Sequence, residues 1–180
     1  MRSTAVLLGL VCWVAVACDR GAVSTPDVEV RVDTLAVDPT SNSPVVILEE
    51  LEGRRRLPIW IGFAEAQSIA AELERAKPVR PNTHDLTKRL IDRLEGAVER
   101  IVVTELSEGI YYARIQLRAP NGRVDVDARP SDAIAIGLRY GAPLFVRERL
   151  FDQSFEAVVE GEGQRIRAPA PHRQVRAGSA

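Results

Sequence analysis

Polar side chains that could carry chemistry are concentrated in two short stretches, each placed where a predicted helix begins. The first stretch is Arg80-Pro81-Asn82-Thr83-His84-Asp85-Leu86. Thr83 suits the N-cap of the helix, and Asp85 in the first turn suits the helix dipole. His84 is a candidate general base, because imidazole titrates near neutral pH. A structural role as a hydrogen-bonding side chain at the helix start is the alternative for each of these residues.

The second stretch joins the end of a predicted strand to the start of the third predicted helix within a few residues. Either Pro130 occupies the first helical position, or Ser131 caps the helix with Asp132 in its first turn. Neither arrangement requires Asp127 or Arg129. An ion pair between these two residues would stiffen the corner, and this is the structural alternative to a role in chemistry.

Taken together, the two stretches carry the groups that phosphodiester cleavage requires. Arg80 and Arg129 could hold a phosphate, while Asp85, Asp127 and Asp132 could collect Mg²⁺ or Mn²⁺. Hard divalent cations prefer oxygen ligands, and they orient a water molecule and stabilise the leaving oxygen. The sequence contains no glycine-rich phosphate loop, nucleophile elbow or zinc-protease motif.

Hydropathy patterns predict the elements that position these stretches. The predicted strands are 28–37, 45–48, 57–61, 98–105, 111–117, 123–127 and 143–146, and the predicted helices are 63–76, one beginning at Thr83 and one beginning at Pro130, with a final turn at 148–151. Helical spacing predicts two buried stripes, formed by Ala66, Ile69, Ala70 and Leu73 and by Leu86, Leu90, Ile91 and Leu94. This order of elements predicts an α+β fold, a single compact domain with a largely antiparallel or mixed sheet and about three helices.

The composition of the chain excludes several classes of protein. Its 24 Lys and Arg residues nearly balance 25 Asp and Glu residues, which argues against a strongly cationic nucleic-acid binder. Aromatic residues make up 5% of the chain and provide little surface for stacking on bases. Two cysteines and two histidines are too few for a zinc finger or a disulfide scaffold.

The N-terminal residues have the pattern of a bacterial export signal. A short basic start is followed by an uncharged apolar run that ends in Ala15-Val16-Ala17-Cys18, and this run is too short to span a membrane. We predict a signal peptide over 1–17 and lipidation of Cys18, which would make the protein a membrane-anchored lipoprotein exported to the cell envelope. Cleavage by an ordinary signal peptidase and a retained hydrophobic anchor are the alternatives.

The remaining boundaries follow from composition. Residues 18–27 are small and polar and are predicted to form a tether, and residues 28–153 are predicted to form the folded domain. The segment 154–180 is rich in Ala and Pro and carries several basic residues near its end, so we predict a disordered basic tail. Such a tail could touch anionic lipid or nucleic acid, or it could simply be solvated.

Motifs in the folded part resemble the bifunctional nuclease domain family. The matching stretches include Leu57-Pro58-Ile59-Trp60-Ile61-Gly62 with Glu65-Ala66, residues 80–86, residues 127–135 and Ala142-Pro143-Leu144-Phe145-Val146. The resemblance implies a compact α+β domain, homo-oligomers and nuclease activity toward DNA or RNA.

The positions that match the family motifs define the predicted site. We predict catalytic roles for His84, Asp85, Asp127 and Asp132, substrate binding by Arg80, Thr83, Arg129 and Ser131, and a Mg²⁺ or Mn²⁺ site formed by Glu65, Asp127 and Asp132. Glu65 could instead serve only as a partner of the helix dipole. The predicted function is hydrolysis of nucleic-acid phosphodiester bonds, and the alternative is a non-catalytic, membrane-anchored module that binds a ligand or protein. A purely architectural role for the polar corners is a third possibility, since resemblance of fold does not establish activity.

Overall fold

The computed structural model describes residues 26–53, 55–76 and 78–152, in which seven strands form one mixed sheet. The strands are β1 Asp27–Val37, β2 Pro44–Glu50, β3 Arg56–Trp60, β4 Ala97–Ser107, β5 Ile110–Ala119, β6 Gly122–Ala128 and β7 Leu144–Arg147. The helices are α1 Phe63–Leu73, α2 Thr83–Arg93 and α3 Pro130–Tyr140, followed by a short helix at 149–152. The predicted α+β class is confirmed.

The strand order is β3-β2-β1-β7-β4-β5-β6. Every neighbouring pair is antiparallel except β4 and β7, which run parallel with Ile101 opposite Leu144. Antiparallel strands can be joined by tight turns, whereas the parallel return from β6 to β7 requires a crossover. Helix α3 makes this crossover, and it therefore lies over the middle of the sheet.

Local sequence explains where α3 begins and ends. Pro130 occupies the first helical position, where a missing N–H costs nothing, and Arg129 precedes it in an extended conformation. Gly141 ends the helix in the left-handed conformation with φ of 61°, which glycine adopts without strain. Of the two arrangements that the sequence left open, the structure has the one with Pro130 in the first helical position, and Ser131 is not the N-cap.

The core lies between the sheet and the helices α1 and α3, which pack side by side. Ile69 of α1 and Ile134 of α3 are completely buried, as are Leu48 and Ile101 of the sheet. At Gly137 the two layers approach each other closely, because a Cβ at this position would lie 2.6 Å from Cγ1 of Ile101. Close approach at Gly137 fixes the height of α3 above β4.

The predicted burial of α2 was wrong for three of its four apolar residues. Leu86, Leu90 and Leu94 are 51%, 55% and 73% exposed, and Ile91 is the member that packs against the core. The 3.6-residue period was correct, but α2 contacts the domain mainly through α3 and turns its polar His84 inward. Leu73 is likewise exposed, since α1 ends there and not near Ala76.

Several predictions concern residues outside the described ranges. These are the signal peptide over 1–17, lipidation at Cys18, most of the tether over 18–27 and the basic tail over 154–180. Among the described residues, no helix combines the length and apolar composition that a membrane span needs.

Candidate active site

The first polar stretch is organised by the N-cap of α2, which is Asn82. Its side chain accepts a hydrogen bond from the Asp85 backbone N–H at 2.9 Å, and the Asp85 carboxylate accepts one from the Asn82 N–H at 2.9 Å. This reciprocal pair is a capping box, with Asp85 in the position usually held by Glu. The prediction that Thr83 is the cap was therefore wrong by one residue, and Thr83 is the exposed first residue of the helix.

The capping box carries His84 into the space between α1 and α3. The Nδ1 atom of the imidazole lies 2.9 Å from Ser68 Oγ on α1, and Nε2 lies 3.1 Å from Asp132 Oδ1 on α3. His84 and Ser68 are both buried. Three helices that are distant in sequence thus meet through one imidazole ring, and both of its nitrogen atoms are engaged.

Asp132 also forms an ion pair with Arg129, which lies at the N-terminal end of α3. The Arg129 guanidinium donates through Nε to Asp132 Oδ2 at 2.7 Å and through Nη2 to Oδ1 at 3.0 Å. The same Nη2 donates to Glu65 Oε1 on α1 at 2.7 Å. The Arg129 side chain is nevertheless 66% exposed. The guanidinium therefore faces solvent while the carboxylates of Glu65 and Asp132 fix its orientation.

Gly62 makes room for this arrangement at the start of α1. It is the N-cap residue of the helix, and a Cβ at this position would overlap the Glu65 carboxylate. The absence of a side chain here lets Glu65 fold back over the first turn. From there its carboxylate reaches Arg129 across the gap between α1 and α3.

A second arginine, Arg139, closes the buried side of the network. Its Nε donates to Asp85 Oδ1 at 2.7 Å, and its Nη2 donates to Ser68 Oγ at 2.9 Å. The Arg139 side chain is 4% exposed, and Nη1 also donates to the Ala135 carbonyl at 2.8 Å. Because burial of an unpaired charge is very costly, these bonds account for the presence of an arginine inside the domain.

The charges of the network shift the pKa values of its members. Burial opposes ionisation of Asp132, but the hydrogen bonds from Arg129 and His84 outweigh it, so the pKa of Asp132 is lowered. Burial likewise opposes ionisation of Asp85, and bonds from the Asn82 N–H and Arg139 lower its pKa overall. Bonds from Asp132 and Glu65 raise the pKa of Arg129 above its already high value. Both aspartates are therefore carboxylates at neutral pH.

The structure brings together five of the predicted site residues and separates the others. The five residues of the network are Glu65, His84, Asp85, Arg129 and Asp132. Thr83 and Arg80 are exposed beside it, and Ser131 is buried at the start of α3. Within the described ranges, the Arg80 side chain makes no ion pair or hydrogen bond.

Asp127 lies on the other face of the sheet. It is paired with Arg114 in the β5–β6 ladder, whereas their neighbours Ala113 and Ala128 are paired on the face that packs against the core. Successive side chains of a strand point to opposite faces, so Asp127 points away from the helices. This parity separates it from Glu65 and Asp132.

The predicted Mg²⁺ or Mn²⁺ site does not fit the observed donor set. Asp127 is on the opposite face, and the space between Glu65 and Asp132 is taken by the Arg129 guanidinium. In the part of the chain that the structure describes, no three His, Cys, Asp or Glu side chains converge in a way that could hold a metal ion. Arg129 therefore supplies the positive charge that joins the two carboxylates.

Three members of the network were missed in the sequence: Ser68, Asn82 and Arg139. Asn82 had a detectable signal, since Asn82 followed by Asp85 has the spacing of a capping box. Ser68 is a polar residue next to the buried stripe of α1, and this position hinted at a partner. Arg139 gave no comparable signal, because an arginine in the last turn of a helix is also explained by the helix dipole.

The fold and the network define a compact α+β domain with a charged cluster between three helices. The family model of the bifunctional nuclease domain matches residues 46–158, which include every member of the cluster. The chain belongs to the bifunctional nuclease domain family.

Proteins from three organisms are similar to parts of this chain. The uncharacterized protein Rv1829 of Mycobacterium tuberculosis strain H37Rv is 42% identical over 126 residues, which cover 70% of this chain and 75% of that protein. Bifunctional nuclease 1 of Oryza sativa subsp. japonica is 29% identical over 97 residues, covering 52% of this chain and 29% of that protein. Bifunctional nuclease 1 of Arabidopsis thaliana is 27% identical over 132 residues, covering 71% and 40% respectively.

Proposed function

We propose that this protein is a nuclease that hydrolyses the phosphodiester bonds of DNA or RNA. The observation that carries the proposal is an exposed, preoriented guanidinium, Arg129, at the edge of a charged cluster in a bifunctional nuclease domain. The names of the plant relatives support the class of activity. The substrate, a polyanion, would meet the protein at its phosphates.

Arg129 has the donors that a phosphate needs. Of its five N–H groups, the Nε hydrogen and the two Nη2 hydrogens are used by Asp132 and Glu65. The two Nη1 hydrogens have no acceptor within the described residues and face solvent with the exposed side chain. A phosphate oxygen can therefore bind Nη1 without breaking the network, and charge-assisted bonds of this kind are strong.

The start of α3 adds to the attraction. Arg129 directly precedes the helix, so a phosphate on its guanidinium would lie near the first turn, where backbone N–H groups carry partial positive charge. Exposed Arg80 could supply a second contact to the nucleic-acid backbone. We assign phosphate binding to Arg129, its orientation to Glu65 and Asp132, and the orientation of Asp132 to His84.

The direct test is cleavage of labelled single- and double-stranded DNA and RNA by the full chain, in Mg²⁺, in Mn²⁺ and in EDTA. The matched variants are Arg129→Gln and Arg93→Gln, and each removes one exposed arginine. Arg129 belongs to the cluster, whereas Arg93 lies in the last turn of α2 and serves as the control. We expect cleavage by the wild type and by Arg93→Gln and a strong loss in Arg129→Gln. Equal cleavage by all three purified proteins would point to a contaminating nuclease and contradict the site. Activity that survives EDTA would agree with the observed donor set.

A non-catalytic binding module is the second candidate function, and one observation favours it. Both ring nitrogens of His84 already have hydrogen-bond partners within the cluster, and so do both carboxylate oxygens of Asp85 and of Asp132. None of these three side chains therefore has a ring nitrogen or a carboxylate oxygen without a hydrogen-bond partner. Retention of labelled oligonucleotide on the wild type but not on Arg129→Gln, without cleavage in any metal condition, would select this function.

We also propose export and lipid anchoring through Cys18, on the sequence pattern alone. Incorporation of radiolabelled palmitate into the wild type but not into Cys18→Ala, in a bacterial host, would support a lipoprotein. Labelling of neither protein would favour a soluble exported form or a retained anchor. A homo-oligomer stays a prediction from the family resemblance, and light scattering of the purified chain would measure it.

A further inference from the structure

The hydroxyl of Ser68 lies within hydrogen-bond distance of three other side chains of the cluster. Its oxygen lies 2.9 Å from His84 Nδ1, 3.0 Å from Asn82 Nδ2 and 2.9 Å from Arg139 Nη2. A serine hydroxyl has one hydrogen to donate and two lone pairs that accept. Three close partners therefore use all of its capacity, and the direction of each bond can be worked out.

Two of the three partners can only donate to Ser68. A guanidinium has no acceptor, so Arg139 donates. The Asn82 amide is oriented by the helix cap, because its Oδ1 accepts from the Asp85 backbone N–H at 2.9 Å and its Nδ2 is thus the atom that faces Ser68. These two donors occupy both lone pairs of the serine oxygen. Its own hydrogen is then available only for His84 Nδ1.

This directionality determines the state of His84. A ring nitrogen that accepts a hydrogen bond carries no proton, so Nδ1 is bare and the ring hydrogen is on Nε2, where it donates to Asp132 Oδ1 at 3.1 Å. A doubly protonated ring would give Ser68 a third donor and leave the serine hydrogen with no acceptor.

We propose that Ser68 is a positioning residue that holds His84 as the neutral tautomer protonated at Nε2, and that His84 thereby acts as a fixed donor to Asp132 and not as a general base. Its contribution to phosphodiester hydrolysis rests on the proposed function. The chain of bonds runs from Arg139 and Asn82 through Ser68, His84 and Asp132 to the exposed Arg129. Ser68 thus acts on the phosphate-binding cation through two intervening side chains.

The tautomer can be read from the nitrogen shifts of the imidazole in long-range proton–nitrogen spectra of the labelled full chain. Spectra are recorded at about pH 8, above the ordinary imidazole pKa, and the His172→Gln variant assigns the signals of His84. In the wild type, both Ser68 and Asp132 favour a proton on Nε2. The Asp132→Asn variant separates them, because an amide can either donate or accept and leaves the choice of tautomer to Ser68.

We expect Asp132→Asn to keep a protonated Nε2 and a bare Nδ1. Adding Ser68→Ala to it should shift the signals toward a mixture of tautomers or toward protonated Nδ1. Thr87→Ala added to Asp132→Asn is the matched control. It removes a hydroxyl from α2, the helix that carries His84, and this hydroxyl bonds only to the Thr83 carbonyl. A change of tautomer in Asp132→Asn alone, or an unchanged tautomer after Ser68→Ala, would overturn the proposal.

A second variant covers the case in which Ser68→Ala does not fold. Asn82→Asp keeps a good N-cap but replaces the donor facing Ser68 by an acceptor, so the serine hydrogen can turn away from His84. Combined with Asp132→Asn, it should also shift the nitrogen signals of His84 toward a mixture of the two tautomers.

For hydrolysis, Ser68→Ala should lower kcat with little change in KM, because Arg129 remains. Absence of any wild-type cleavage would refute the proposed function while the nitrogen shifts still decide the role of Ser68.

Discussion

The two ends of α3 each carry an arginine bound to carboxylates of other helices or of its own first turn, yet the two residues differ in one decisive respect. Arg139 is 4% exposed and donates to Asp85, Ser68 and the Ala135 carbonyl. Arg129 is 66% exposed and keeps two N–H groups toward solvent. The comparison teaches that burial, and not residue type or partner type, separates an arginine that holds helices together from one that can bind a ligand.

The largest expected effect is on the buried end. Arg139→Gln removes the cation that neutralises Asp85 and one of the donors on Ser68, so a partly buried carboxylate is left unpaired. Breaking a buried pair from one side costs about 3–5 kcal/mol. Urea denaturation followed by circular dichroism should show this loss in the free energy of unfolding. A variant as stable as the wild type would mean that water replaces the guanidinium and that the buried end is not structural.

The exposed end should show the opposite pattern. Arg129→Gln should change the free energy of unfolding by no more than about 1 kcal/mol, as exposed ion pairs contribute little. Cleavage should fall by roughly 10²-fold, the usual cost of removing one preoriented donor to a reacting oxyanion. Parallel measurement of unfolding and cleavage checks both numbers, with Arg93→Gln as the control. A large loss of stability without loss of cleavage would reverse the comparison.

A substitution in the middle of α3, between Arg129 and Arg139, tests how much the close packing of this helix on the sheet contributes to stability. Gly137→Ala brings a Cβ to 2.6 Å from Ile101 Cγ1, and the overpacking costs about 1–3 kcal/mol. Alanine recovers about 1 kcal/mol through its helix propensity, so we expect a net loss of about 1 kcal/mol. Thermal unfolding measures it, and Gln67→Ala at an exposed position of α1 is the control. A gain in stability would show that α3 moves off β4 without penalty.

The smallest effect concerns the pH dependence of Asp132. Its pKa is lowered in the folded state, so its ionised form stabilises the protein above the unfolded pKa of about 3.9, and this contribution is lost as the pH falls through the lower folded pKa. The difference in Tm between the wild type and Asp132→Asn should therefore be constant from pH 7 to about pH 5 and shrink below about pH 4. Comparing the two proteins cancels the other acidic groups that titrate in this range. A difference that grows on acidification would contradict the lowered pKa.

The fold could be predicted well because its signals are local. The alternating strands and the helix start at Pro130 each depend on residues near one another in the chain. The exposed stripe of Leu86, Leu90 and Leu94 was not predictable in this way, because periodicity reveals an apolar face but not whether another element covers it. The parallel pairing of β4 with β7 also joins distant segments and has no local signature.

The sequence by itself determined the strands, the helix starts and the presence of His84, Arg129 and Asp132 at two of those starts. Only the tertiary structure decided which groups meet, since it placed Ser68 and Arg139 beside His84 and turned Asp127 to the other face of the sheet. The physical reason is that contacts between distant segments decide which face of the sheet α1 and α3 cover and how α1 and α2 pack on α3. Residue types limit the chemistry that is possible, and the burial and direction of hydrogen bonds in the fold select which of it can occur.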